Sequence, residues 1–283
     1  MKISIVTISY NQGRFLKEAI DSVLSQEGAE VEYIVVDPGS TDNSRDIIKF
    51  YGNKINKIVF EKDNGPAEGL NKGFRFATGD ILGYLNADDT LMKGALREVV
   101  HYFKAMPNAE VISGHGYIID ENSKKLYKVF SNKLSSSSFA KIRYTTGYGS
   151  IVQQSTFFRR EIFLKTDGFD NSYKIMWDGA LAVDFMNLGA NFKTADKFWS
   201  GFRIYSASLT GSGQHNDKRA LETYRAMQKR AGLTPIPLWK YPFIHYIGWL
   251  LEPALLWKRI LDGLRNPNRL NISVPLPPAK IKK

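Results

Sequence analysis

Ile81-Leu82-Gly83-Tyr84-Leu85-Asn86-Ala87-Asp88-Asp89 places a short apolar run directly before an acidic turn. A run of this length fits a strand buried on both faces of a sheet. A second stretch ends the same way: Tyr33-Ile34-Val35-Val36-Asp37-Pro38-Gly39-Ser40-Thr41-Asp42. Open α/β sheets bind ligands outside the carboxyl ends of their strands. Carboxylates at two such ends, about fifty residues apart, predict a nucleotide recognised at one point and a metal-bound phosphate at the other.

The pattern extends in both directions from these two strands. Residues 3–8 read as another buried strand. Asn11 is expected to cap a helix whose apolar residues Phe15, Leu16, Ala19, Ile20, Val23 and Leu24 form one face. Strand 33–37 leads to a helix near 44–51, capped by Asp42 or Asn43, and then to a strand at 57–61. Asn64-Gly65-Pro66 opens a short helix through Phe76, with Gly79 as its stop. Strand 81–86 follows, then a helix from about Lys93 that ends before Pro107. This alternation predicts an α/β fold with a mostly parallel sheet flanked by helices on both faces. Beyond about residue 110, short strands near 111–119 and 152–158 enclose a polar stretch, 131–148, whose Ser135-Ser136-Ser137-Ser138 reads as a loop. A helix near 178–188 ends at Gly189. No internal repeat is visible.

The 283 residues suffice for one large or two modest cores, and 43% of them are hydrophobic. There is no cysteine, which excludes disulfides and cysteine-based catalysis or metal sites and fits a reducing cytoplasm. Met1 runs almost directly into the apolar segment from Ile3 to Ile8, without the layout of a signal peptide. The net charge of +11 is concentrated at one end. Residues 218–283 hold 13 of the 39 Lys and Arg but only 3 of the 28 Asp and Glu. Such a block implies an anionic partner, a membrane surface or nucleic acid.

That same region carries Trp239, Trp249 and Trp257, with Tyr241, Phe243 and Tyr246 among them. From Tyr241 to Trp257 only His245 and Glu252 interrupt the apolar character, and Pro242 and Pro253 break the run. It is shorter than the about 20 residues a spanning helix needs. Aromatic residues with the basic flanks Lys240, Lys258 and Arg259 favour a helix lying in a membrane interface. The alternatives are a helix packed on the main domain and a re-entrant segment. The last ten residues, with Pro275, Pro277 and Pro278, read as a disordered tail.

A nucleotide site must contact the base, neutralise the diphosphate and leave room for an acceptor. Thr7-Ile8-Ser9-Tyr10-Asn11 leaves the first strand and could border base and ribose. Asp37 could accept the imide proton of uracil or donors on guanine, or simply cap its own turn. Asp88 and Asp89 offer hard oxygen ligands. Magnesium takes one or two carboxylates and completes its shell with water and substrate phosphates, so a carboxylate beside a diphosphate is enough. Such a metal offsets charge on a departing nucleotide.

In order along the chain stand Ile5-Val6-Thr7-Ile8-Ser9-Tyr10-Asn11, Val35-Val36-Asp37-Pro38-Gly39-Ser40-Thr41-Asp42, Asp63-Asn64-Gly65, Asn71-Lys72-Gly73, Ala77-Thr78-Gly79-Asp80 and Leu85-Asn86-Ala87-Asp88-Asp89. Gln154-Ser155-Thr156-Phe157-Phe158-Arg159, Gly168-Phe169-Asp170 and Asp178 continue the series. With these motifs the chain resembles a family 2 glycosyltransferase of the GT-A fold over residues 1 to about 210, and most resembles transferases that build bacterial O-antigen and exopolysaccharide repeat units. The resemblance implies that Thr7, Ser9, Asp37 and Ala67 border the nucleoside. It implies that Asp88 holds a Mn2+ or Mg2+ ion and the diphosphate, and that Asp178 is the general base. Asn11, Asn71, Lys72, Asn86 and Ala87 complete the expected substrate-binding set. Asp184 stands as the alternative base, with Asp178 then a cap.

Three departures accompany the resemblance. Asn86 stands where many relatives have an aspartate, and Leu70 where many have an arginine for the phosphates, a charge that Lys72 or Lys62 could supply. No Gln-x-x-Arg-Trp motif occurs, which argues against a processive synthase. His215, in Gly211-Ser212-Gly213-Gln214-His215, could close over the diphosphate or simply be exposed.

The expectation is an inverting transferase that moves a sugar from a nucleotide-diphosphate sugar, with UDP favoured over GDP and dTDP, to a lipid-linked or oligosaccharide acceptor. It would act in surface polysaccharide synthesis, attached peripherally to the anionic inner face of the plasma membrane and not to nucleic acid. Residues 1–110 would form the nucleotide-sugar half, 111–215 the acceptor half, and 216–283 a basic, aromatic-rich helical attachment. A sugar-nucleotide pyrophosphorylase is disfavoured because Asn11-Gln12-Gly13-Arg14 has one glycine. A dinucleotide-dependent dehydrogenase lacks its Gly-x-Gly-x-x-Gly. A non-catalytic membrane- or nucleic-acid-binding module rests on the tail alone.

Overall fold

The structure, a computed structural model, describes residues 1–206, 208 and 217–265. The proline-bearing last ten residues lie outside them. Alternation in the first strands places a helix layer on each face of a sheet. In β1 (Lys2–Ile8), Ile3 and Ile5 point into one core and Val6 into the other. In β2 (Glu30–Val36), Tyr33 and Val35 join the first core, Ile34 and Val36 the second. The first core is closed by α1 (Gly13–Leu24), α2 (Ser44–Tyr51) and α4 (Ala95–Ala105). The second is closed by α3 (Pro66–Phe74), α6 (Arg160–Phe163) and α7 (Trp177–Asn187). Here the period of two in the strands meets helices on both sides, as a doubly covered sheet requires.

The remaining strands are β3 (Lys57–Val59), β4 (Ile81–Asn86), β5 (Thr90–Leu91), β6 (Val111–Ile119), β7 (Lys125–Val129), β8 (Thr156–Arg159) and β9 (Phe192–Arg203). They form one sheet in the order β3-β2-β1-β4-β8-β6-β9-β5, with β7 on β6. From β3 to β4 the sheet is parallel. Beyond β4 it is mixed: β8 runs antiparallel to β4 and β6, whereas β6 and β9 are parallel. The sheet is therefore mostly parallel only in its first half. Ile8 is level with both Val36 and Asn86, so the turns after β1, β2 and β4 emerge side by side at one edge.

Some local expectations shift. Asn11 does not cap α1; Gln12 holds that position, and neither α1 nor α2 has a side-chain cap bond from its own N-cap residue. The α1 N-terminus is instead satisfied by Asp42, whose carboxylate accepts from the Gly13 N–H at 2.8 Å, and by Ser44. The third helix stops at Phe74, and the polar stretch contains α5 (Ser138–Thr145), with Ser137 as a true N-cap accepting from Ala140. Gly73 lets α3 lie against β1, because a Cβ there would come within 2.4 Å of Val6. Helices α8 (Asp217–Arg230), α9 (Tyr241–Leu251) and α10 (Pro253–Arg265) complete the described chain. No described helix is long and apolar enough to cross a membrane.

Candidate active site

The turns at the sheet edge are tied to one another. The Asn11 backbone sits in the left-handed region at φ 53°. Its N–H donates to Ser40 Oγ at 2.9 Å, and its side-chain oxygen accepts from the Thr41 N–H at 2.8 Å. Asp37 is fully buried at the end of β2. Its carboxylate accepts from the Gly39 and Ser40 N–H groups, from the Ser40 hydroxyl at 2.5 Å and from Arg45 Nε at 3.0 Å. Asp37 thus organises the turn, as the capping alternative expected, and a base can reach it only alongside these donors. Ser9 lies between the two turns, and its buried hydroxyl has no protein partner. Buried polar groups are nearly always paired, and this one is an exception.

Other expected contacts belong to the fold. Thr7 is fully buried and accepts from the Tyr33 hydroxyl at 3.0 Å, so its side chain faces the core. Asn71 donates to the Phe169 carbonyl at 2.7 Å and accepts from its N–H at 2.8 Å. That reciprocal pair pins the 168–169 turn rather than offering the amide to a substrate. Lys72 donates to the Lys62 carbonyl and pairs with Glu68 at 3.0 Å. Its charge is already met, which weakens it as the replacement for a phosphate arginine. Leu70 and Ala67 are buried in the second core.

The acidic turn is built from a distance. Asp89 is buried, and accepts from Gln154 at 2.8 Å, Asn86 at 3.1 Å and the Arg203 backbone N–H at 2.9 Å. Burial and the neighbouring Asp88 raise its pKa. Ala87 is buried, its N–H donating to the Ile8 carbonyl. Asp88 is half-buried. One of its oxygens accepts from the Tyr205 hydroxyl at 3.3 Å, and burial raises its pKa. The same hydroxyl oxygen lies 3.2 Å from Gln12 Oε1, so its one proton is shared between the two acceptors. Arg203 holds the turn from below: Nε donates to the Asp88 carbonyl at 2.7 Å, Nη1 to the Asp120 carbonyl and Ser123, and Nη2 to Glu18 at 2.7 Å. Its guanidinium also lies over Phe15.

No cluster of three or more acidic or histidine side chains forms among the described residues. Asp88 is one carboxylate with one oxygen partly engaged, and the Asn86 amide nitrogen is committed to Asp89. That donor set fits a hard cation that receives most of its shell from water and a diphosphate. It does not fit a cation held by protein alone.

Asp178 lies in the first turn of α7, two residues after the N-cap Met176, whose φ of 58° is rare for a side chain of its size. It lines a cavity of about 30 Å³ with Tyr84, Gln153 and Phe169. Gln153 donates to the Tyr84 carbonyl at 3.0 Å, and its oxygen lies 3.5 Å from the Asn86 amide nitrogen. Gln153 therefore connects the end of β4 to the Asp178 cavity. Burial raises the Asp178 pKa, against N–H groups of the first helical turn, in the direction a base working near neutral pH needs. Asp184 is not comparable: Arg230 grips both its oxygens, at 2.6 and 2.8 Å, and also binds Asp170. The loop entering α7 and helix α8 border an open groove of about 640 Å³, with Tyr173, Lys174 and Lys229 on its walls. His215 lies outside the described residues.

Arg203, Tyr205 and Gln153 carried no readable signal. Two of them stand on or just after β9, whose strand character was not foreseen, and all three act on residues far away in the chain.

A sheet with parallel strands, helices on both faces and acidic turns at its carboxyl edge, beside a half-buried aspartate in the first turn of a helix, is the arrangement of a glycosyltransferase of the GT-A kind. Residues 4–166 match Glycosyl transferase family 2, and the chain belongs to that family. An uncharacterized glycosyltransferase of Nostoc sp. is 29% identical over 262 residues, 88% of this chain and 77% of the relative. One from Methanocaldococcus jannaschii is 23% identical over 92% of both. Among solved structures, S. aureus TarS 1-349 in complex with UDP-GlcNAc superposes with a TM-score of 0.65 at 18% identity, covering 87% of this chain and 70% of that one. The mannosyltransferase PcManGT from Pyrobaculum calidifontis, in complex with GDP-Man and Mn2+, gives 0.63 at 17% identity, covering 96% and 83%. At such identities the structural likeness concerns the fold.

Proposed function

We propose that this transferase uses a nucleotide-diphosphate sugar, UDP-linked by preference, and inverts the anomeric configuration on transfer to a saccharide hydroxyl. One observation supports this above others: Gln153 joins the end of β4, with its acidic turn, to the Asp178 cavity. A leaving diphosphate at Asp88 and a base at Asp178 then flank one space. The nucleoside lies against Ser9 and the Asn11 and Asp37 turns, and gives the Ser9 hydroxyl its missing partner. Asp88, with the Asn86 oxygen, would hold Mn2+ or Mg2+; the ion, when bound, neutralises charge on the diphosphate. Asp178 takes the proton of the acceptor hydroxyl, which attacks the anomeric carbon from the side opposite the nucleotide. A base so placed contributes about 10²–10⁴-fold.

Residues 1–110 act as the donor half and 111–215 as the acceptor half, with the groove beside α8 open to the rest of the saccharide. The cationic, aromatic segment 216–283 supports a lipid-linked acceptor in bacterial surface polysaccharide synthesis, met at the inner face of the plasma membrane. Asp88→Ala tests the reading: Mn2+-dependent hydrolysis of UDP-sugar should disappear while the fold melts as before. Undiminished hydrolysis would remove Asp88 from the site.

A further inference from the structure

Surface helices normally turn their apolar stripe toward the protein and their polar side toward water. Helix α10 does the opposite, and α9 is apolar on both its sides. On α9 the inward side is Tyr241, Ile244 and Gly248, followed by Glu252 at the helix end. Glu252 is buried and forms an ion pair with buried Arg143. It also accepts from the Asn132 side chain and the Lys133 N–H at 3.3 Å. On α10 the inward side is polar. Arg259 donates to the Phe130 carbonyl and to Asn132, and buried Asp262 accepts from the Lys128 N–H at 3.2 Å.

The outward side is apolar on both helices. Phe243, Ile247 and Leu250 follow each other at helical spacing on α9, and Leu250 is 80% exposed. Trp257, Leu261 and Leu264 do the same on α10, with Trp257 64% exposed. Trp239, just ahead of α9, is also exposed, beside Lys240. An exposed apolar face of this extent marks an interaction surface.

We propose that the outer face of α9 and α10 is a rigid platform that lies in the plane of an anionic bilayer, with these side chains in the headgroup–acyl boundary. Three features favour lipid over a protein partner. Neither helix is long enough to span, and both carry one continuous apolar side, as interfacial helices do. Tryptophans stand before α9 and on α10, the residue type that favours the water–lipid boundary. Residues 218–283 carry a large excess of Lys and Arg over Asp and Glu, which draws them to anionic headgroups. The Arg143–Glu252 network fixes the platform on the acceptor half, so the orientation of the catalytic edge toward the membrane is set by the fold. Packing on the main domain and binding the interface are thus the two sides of the same helices.

The inference rests on the membrane-side reading given above but is tested apart from catalysis. The full chain is sedimented with vesicles of phosphatidylcholine with and without phosphatidylglycerol. The wild type should pellet with the anionic vesicles, and less so as salt rises. A triple variant, Phe243→Ser, Leu250→Ser and Trp257→Ser, should lose on the order of tenfold or more in the bound fraction while still being thermally stabilised by UDP with Mn2+. Quenching of tryptophan fluorescence by brominated lipid should fall in Trp257→Phe. A triple variant that pellets as well as wild type overturns the platform. So does a wild type that ignores vesicles but forms a dimer dissolved by the same substitutions, which would make a second copy the occupant. Loss of UDP stabilisation with vesicle binding intact would count against the enzyme reading instead.

Discussion

Replacing Arg203 by methionine should loosen the acidic turn and destabilise the whole domain, although Arg203 lies outside the acidic turn itself. Its guanidinium is fully buried. Glu18, its ion-pair partner, is 44% exposed, so that pair contributes only about 0.5–1 kcal/mol. The hydrogen bonds to the Asp88 and Asp120 carbonyls, lost without replacement, cost about 1 kcal/mol each. The contact with Phe15 adds about 1 kcal/mol. Methionine recovers part of this by burying its own apolar surface, leaving a net loss of about 3 kcal/mol. For a domain of this size that is a fall in Tm of roughly 6–12 °C. The Asp89 carboxylate keeps its bond from the backbone N–H of residue 203, so the turn should persist but move more. The extra thermal stabilisation given by UDP with Mn2+ should therefore shrink. Differential scanning fluorimetry with and without ligand measures both quantities. A loss under about 1 kcal/mol with unchanged ligand stabilisation would refute the view that Arg203 positions Asp88.

Asp178→Asn should keep UDP-sugar affinity, measured by calorimetry, and lose transfer by about 10²–10⁴-fold in a product assay; full turnover would return the base role to another group. Glu32 offers a pH test. Burial opposes its ionisation, but Lys2, Ser4 and Thr78 donate to it and hold its pKa down at about 2. With the folded value below the unfolded one, its stabilisation is complete above about pH 4.5 and is lost as pH falls toward 2, a few kcal/mol in all. Urea denaturation across that range should show a flatter decline in Glu32→Gln, and identical slopes would discard the assignment. Gly73→Ala should destabilise by about 1–3 kcal/mol through its clash with Val6, read as a lower urea midpoint with an unchanged slope.

Much of the fold of residues 1–110 was legible because its forces are local. In 1–110, apolar strands of period two alternate with helical stripes, and each strand end carries the residue that the sheet edge displays. Asp37 and Asp88 could be named for that reason, whereas Asp178, in the first turn of α7, came only from the family resemblance. Thr7, Asn71 and Lys72 have partners that spacing does not reveal, because a side chain's availability depends on what it meets across the fold: Tyr33, Phe169 and Glu68 respectively. The strand β9 was missed because Phe192–Arg203 mixes polar and apolar residues irregularly, and its register against β6 shifts twice.

The sequence by itself determined the alternating α/β plan, the acidic strand ends and the concentration of positive charge and aromatic residues near the C-terminus. Each follows from spacing within a few turns or one strand. Only the tertiary structure decided that Arg203 underpins an acidic turn 114 residues earlier and that Gln153 links β4 to the Asp178 cavity. It alone decided that α10 and the Glu252 end of α9 turn polar groups inward and leave apolar faces outside. A hydrophobic stripe gives a helix two faces, but which one meets the protein depends on the partners waiting there, and Arg143 and Asn132 bind charge and carboxylate rather than methyl groups.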